Sequence, residues 1–134
     1  MKFNEFSAAQ VRIARPTEKL DKVVEFYEEG LGLKKITEFS GHKGYKGVIL
    51  GLPNTDYHLE FTSHDNGSPC PAPSLDNLLV FYISNKEEIN NLAQRLNRLG
   101  YKEVEPENEY WKEKGVTVED PDGWRIVLMN TNGV

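Results

Sequence analysis

Residues 57 to 64 read YHLEFTSH, with a histidine and a glutamate two places apart inside an otherwise apolar stretch. In an extended chain, side chains alternate between faces. Tyr57, Leu59 and Phe61 then share one face, and His58, Glu60 and Thr62 share the other. A carboxylate and an imidazole on one sheet face suit proton transfer, as a base with an orienting partner or as an acid and a base on either side of a substrate. Desolvation in a cavity would strengthen the glutamate's hold on a proton and favour that use near neutral pH.

Arg12, in QVRIA, has the parity to join them, and its guanidinium fork matches carboxylate or phosphate groups. Tyr82 and Tyr45 offer a hydroxyl and a ring. Trp111, in ENEYWKEKG, offers a stacking surface. Each has a plainer use: Glu60 can pair with Arg12, His58 can sit at a solvent rim, and strand aromatics can simply pack. Arg15 points to the other face or the strand end and reads as structural. His42, His58 and His64 have no recurrent metal-binding spacing. Cys70 lies between two prolines with no base beside it and reads as an ordinary loop thiol.

The elements that must position these groups follow from periodicity. QVRIA alternates and is broken by Pro16, which marks a first strand. Leu20, Val23, Val24, Tyr27 and Leu31 form an apolar stripe at helical spacing, giving a helix from about Glu18 to Glu29 that stops at Gly30. KKITEFS, YKGVILGL and YHLEFTS then read as strands separated by the turns GHKG and PNTD. HDNGSPCPAPSLD has three prolines and no periodicity, so it reads as a connecting loop.

The second half repeats the order. LLVFYI is a strand, and a helix capped by Asn85 follows, with a stripe of Ile89, Leu92, Ala93, Leu96 and Leu99 and an end at Gly100. Three short strands complete it: one near YKEVE, then GVTVE, then WRIVLMN after the turn DPDG. The expected fold class is α+β, with two tandem βαβββ modules (about 9–63 and 77–130) joined by the loop 64–76 in one domain spanning 1–134. Helix-covered positions should be Val11, Ile13, Leu59, Phe61, Leu79, Phe81, Ile83, Ile126 and Leu128. Gln10, Arg12, His58, Glu60, Leu78, Val80, Tyr82, Arg125 and Val127 should line a central cavity inside a curled mixed sheet.

At 134 residues the chain is one domain of ordinary size. Its net charge of -5 argues against nucleic acid as a partner, since such binders rely on clustered Lys and Arg. No apolar run reaches the length of a membrane span. A single cysteine and a first twenty residues without an apolar secretion segment lead to the expectation of a cytoplasmic protein.

VRIARPTEKLDKVVEFYEEGLGL resembles the opening of the vicinal oxygen chelate superfamily, which contains glyoxalases, bleomycin-resistance proteins and extradiol dioxygenases. EDPDGWRIVLMN resembles its closing strand pair, and HLEFTSHDNGSPCPAPSLDNLLVFY is similar to a YycE-type subgroup. The resemblance spans almost the whole chain and implies the same fold. Metal-dependent members place ligands on the first and fourth strands of each module, which here fall at Gln10 or Arg12, Glu60, Leu78 and Val127. Leucine and valine cannot ligate, so no cofactor is expected; a divalent metal, if held, would fall to Glu60 and His58. Residues and resemblance together lead to the expectation of a glyoxalase-like protein that binds a small organic molecule, with Glu60 and His58 as the groups available for proton transfer. Arg12, Tyr82, Tyr45 and Trp111 would contact the molecule. The alternatives are a non-catalytic drug- or metabolite-binding protein of the bleomycin-resistance type and a metal-dependent lyase or dioxygenase with nonstandard ligands. Unpaired sheet edges and exposed aromatics lead to the expectation of a homodimer.

Overall fold

A computed structural model describes residues 7–52 and 55–134. Pro53 and Asn54 of the expected turn PNTD lie outside the described residues, as do the first six of the twenty residues read for a secretion signal.

The first module comprises β1 (Val11–Pro16), α1 (Leu20–Val24), β2 (Lys34–His42), β3 (Tyr45–Gly51) and β4 (Tyr57–His64). The second comprises β5 (Leu78–Tyr82), α2 (Lys86–Arg98), β6 (Glu103–Val104), β7 (Gly115–Glu119) and β8 (Arg125–Met129), with a 3-10 turn at Glu109–Trp111. Each module forms its own four-stranded sheet, ordered β1-β4-β3-β2 and β5-β8-β7-β6. In both, the first strand runs parallel to the last, with Ile13 opposite Leu59 and Leu79 opposite Ile126; the other pairings are antiparallel. The α+β class and the tandem βαβββ order therefore stand as the sequence predicts.

The first helix differs in detail from its expected span. α1 runs on into a π-helical turn over Glu25–Gly30, where Leu31 N–H donates to the Phe26 carbonyl five residues back. Phe26 and Tyr27, three and four residues after Val23, are both buried on its face, edge to face with centroids 4.8 Å apart. The stripe read from the sequence names Tyr27 and omits Phe26. Gly32 and Gly100 close the two helices at positive φ, as their places after the stripes require.

The core forms where the helix-covered faces of the two modules meet. Val23, Phe26, Tyr27, Leu59 and Phe61 of the first module pack in one buried cluster with Ile89, Leu96, Val118, Ile126 and Leu128 of the second. The helices lie between the modules, and among the described residues no hydrogen-bonded strand pair joins the sheets. Val11 and Ile13, expected under helix, are 40% and 53% exposed because β1 is an edge strand. Val127 and Arg125, expected in the cavity, are buried for a reason given below.

Candidate small-molecule site

The open face of the first sheet collects the chemistry that the sequence singles out. Across β1 and β4, Arg12 lies opposite His58 and Ala14 opposite Glu60. Across β3 and β4, Gly51 lies opposite His58, Ile49 opposite Glu60, Gly47 opposite Thr62 and Tyr45 opposite His64. Directly opposed residues share a face, so Arg12, His58, Glu60 and Tyr45 all stand on it.

The two glycines shape its floor. A Cβ on Gly47 would come within 2.7 Å of the Phe39 ring, and one on Gly51 within 2.7 Å of Ile36 Cδ1. Side chains of β2 thus lie down across β3, leaving the polar groups of β4 and β1 standing beside a low apolar platform.

Arg12 Nη1 is 3.6 Å from Glu60 Oε1, with side-chain exposures of 45% and 16%. At that exposure the pair is screened by water and contributes little to folding. Among the described residues, the guanidinium makes no other ion pair or hydrogen bond. His58 has a buried Nδ1 with no hydrogen-bond partner, and among the described residues no hydrogen bond links it to Glu60. Tyr45 shares the face but stacks edge-on against His64 with centroids 4.5 Å apart, at the far end of the strand. Four residues of β-strand place it about 13 Å from the Glu60 position.

Tyr82 and Trp111 do not join this group. Tyr82 ends β5 in the second module, and Trp111 belongs to the segment that covers the second sheet's corresponding face. There a Cβ on Gly115 would meet the Trp111 carbonyl at 2.4 Å, and Thr117, Val127 and Met129 are buried. Arg125 fastens the cover: its Nε donates to Glu119 Oε2 at 3.0 Å and its Nη1 to the Glu105 carbonyl at 2.8 Å. Lys112 pairs with Glu105 across the same segment. The second module's site positions are therefore filled by its own chain, which alternation along β8 alone does not reveal.

The sequence reading also missed a network that ties the modules together. Arg15 Nη2 donates to Asp120 Oδ2 at 2.7 Å and lies 3.8 Å from Asp122 Oδ2, with its guanidinium between the rings of Phe61 and Trp124. Tyr27 Oη donates to the same Asp120 oxygen at 2.8 Å. Burial, and then the charge of Asp120, pushes the Tyr27 phenol well above its ordinary pKa. Asp120 Oδ1 meanwhile accepts from the backbone of Asp122 and Trp124 in the DPDG turn. The turn was legible; its carboxylate's second task across the module boundary was not.

A divalent metal does not suit the residues present. Among the described residues, no group of three or more His, Cys, Asp and Glu side chains could hold one. Of the places that the superfamily pattern indicates, Val127 is fully buried and Leu78 is aliphatic.

Two family models match the chain, a YycE-like N-terminal domain over residues 11–62 and a YycE-like C-terminal domain over residues 76–130. The chain belongs to the YycE-like family. The uncharacterized protein YycE of Bacillus subtilis is 58% identical over 133 residues, covering 99% of this chain and 96% of that protein. A crystal structure of a YycE protein of unknown function from Bacillus subtilis matches with a TM-score of 0.93 at 57% identity, covering 100% of this chain and 98% of that one. More distant is a glyoxylase/bleomycin resistance protein/dioxygenase domain from Frankia sp., with a TM-score of 0.70, 21% identity and coverage of 98% and 96%. TnmS3, an antibiotic binding protein from Streptomyces sp., matches with a TM-score of 0.65, 21% identity and coverage of 95% and 98%. The two distant structures show the same fold.

Proposed function

We propose that this protein binds a small organic molecule carrying an anionic group on the open face of the first sheet, with Arg12 as the anion's partner and Glu60 beside it as polar anchor and proton acceptor. The observation that carries this reading is the Arg12–Glu60 pair, in which a nearly half-exposed guanidinium stands beside a mostly buried carboxylate above a glycine-floored platform. A ligand carboxylate or phosphate can take the guanidinium in a bidentate grip that the single 3.6 Å approach to Glu60 does not use. Glu60 then loses its cationic neighbour in a site the ligand has partly dried. Both changes raise its affinity for a proton, so binding itself prepares the carboxylate to accept one from the ligand. His58, two residues along the same face, is the neighbouring imidazole in this scheme. Tyr45 lies too far along the strand to contact a small ligand centred at Glu60.

A second reading, non-catalytic binding, is favoured by the covered face of the second sheet, which offers no further acid or base to such a ligand. The likeness to an antibiotic binding protein, at the level of fold, is compatible with it. Titration of small carboxylates, phosphates and their neutral isosteres into wild-type and Arg12→Met protein tests binding. Solvent deuterium exchange into a bound ligand, followed by NMR, separates the two readings. Equal affinity for charged and neutral isosteres would sink the anion-binding reading.

The reading extends to a metal-independent site, a cytoplasmic setting and a homodimer. Near one equivalent of a transition metal bound through Glu60 would refute the first. Sedimentation showing only monomer at high micromolar concentration would refute the last.

A further inference from the structure

Two cavities lie in a cleft where the edge strands β1 and β5 border the module boundary. One has a volume of about 440 Å³ and the other about 240 Å³, and both are lined by Ile13, Leu59 and Leu79. We propose that this cleft is a second binding site, for an uncharged and mostly hydrocarbon small molecule. The proposal does not depend on the open-face reading, because its apolar walls are Ile13 and Leu59, on the opposite faces of β1 and β4 from Arg12 and Glu60.

Volume and lining carry the first step. A concave space of a few hundred Å³, mostly apolar with a few polar groups at its margin, is what small-molecule sites look like. The floor here is buried Leu59 and Leu128. At the rim stand Tyr57 and Tyr82, about half exposed, each able to offer a phenolic hydroxyl to a ligand's hydroxyl or carbonyl.

Charge decides the ligand's class. Arg15 borders the smaller cavity, but its guanidinium already faces two carboxylates, Asp120 at 2.7 Å and Asp122 at 3.8 Å. Arg125 there is engaged by Glu119, and Glu88 lines the larger cavity. An anion would meet more carboxylate than free cation. A cation would have to leave water for an aliphatic floor without a dedicated partner. An uncharged ligand meets neither cost. Exposed Ile13, on an edge strand, guards the way in.

The test uses the full chain and N-phenyl-1-naphthylamine, a neutral probe whose fluorescence rises in apolar surroundings. Saturable binding of one probe per chain is expected, displaced by 1-decanol at least about tenfold better than by decanoate. Ile13→Glu, a substitution at an exposed position that leaves the core untouched, should weaken probe binding about tenfold or more. Leu79→Trp should do the same by filling the space. Leu75→Glu, at an exposed loop residue outside the cleft, should leave it unchanged. Four results would each overturn the proposal: no saturable signal, as when a second copy fills the cleft; unchanged binding in Ile13→Glu; equal loss in Leu75→Glu; or displacement by decanoate as strong as by decanol.

Discussion

Replacing Glu60 by Gln and Arg12 by Met, singly and together, measures what the cross-strand pair does. The charged atoms are 3.6 Å apart, close enough for several kcal/mol of attraction in a dry interior. With nearly half of the Arg12 side chain in water, screening and the cost of ordering a long side chain remove most of that. A coupling energy of about 0.2–1 kcal/mol in folding stability is expected. Buried pairs behave differently, since loss of one partner strands the other charge at about 3–5 kcal/mol. Urea unfolding of the four proteins, repeated at low and high salt, resolves the two cases: the small coupling should shrink further as salt rises. Affinity for an anionic ligand should fall by about tenfold or more in Arg12→Met, which is about 1.4 kcal/mol. A stability coupling near 3 kcal/mol, with ligand affinity untouched, would mean that Glu60 and Arg12 exist to hold β1 against β4. The proposed site would then be lost.

The module-bridging network should respond in the opposite way. Asp120→Asn leaves Arg15, whose side chain is only 13% exposed, without its closest counter-charge and should cost about 3–5 kcal/mol in urea unfolding. Tyr27→Phe removes a buried hydrogen bond to the same carboxylate and should cost about 1–3 kcal/mol, with little effect on a ligand at the open face. Burial, and then the hydrogen bond to Glu25, raises the Tyr101 phenol to about 12, and Tyr27 shifts in the same direction. A phenol whose folded pKa exceeds its unfolded value contributes stability that is fully present below about pH 10 and lost as pH rises through the folded pKa. Unfolding free energies should therefore fall between about pH 10 and 12. An ultraviolet titration should show two of the six tyrosines ionising late, and six equal tyrosines would contradict the assignment.

What the sequence disclosed, and what it hid, divides along the reach of each interaction. Alternation along YHLEFTSH and QVRIA is local, so the shared face of Arg12, His58 and Glu60 was legible, as were the helix-closing glycines and the DPDG turn. The π-helical turn was not, because Phe26 and Tyr27 already fit the i+3 and i+4 places of an ordinary helix after Val23, so the apolar pattern carries no sign of the wider turn. Parity also names two faces without saying what will cover them. Val127 alternates as a site residue should, yet the segment carrying Trp111 lies over its face, and nothing in the alternation along β8 records that. Ile13 alternates as a core residue should, yet the module boundary leaves it at the lip of a cleft. These two departures share one cause. Two similar modules were expected to use their faces alike, whereas one keeps its polar face open over glycines and the other covers its own with a tethered loop. A change that frees the loop, such as Arg125→Leu, removes the tie to the Glu105 carbonyl and should expose Val127 and Met129. The hidden half of the expected cavity would then become measurable as new apolar surface.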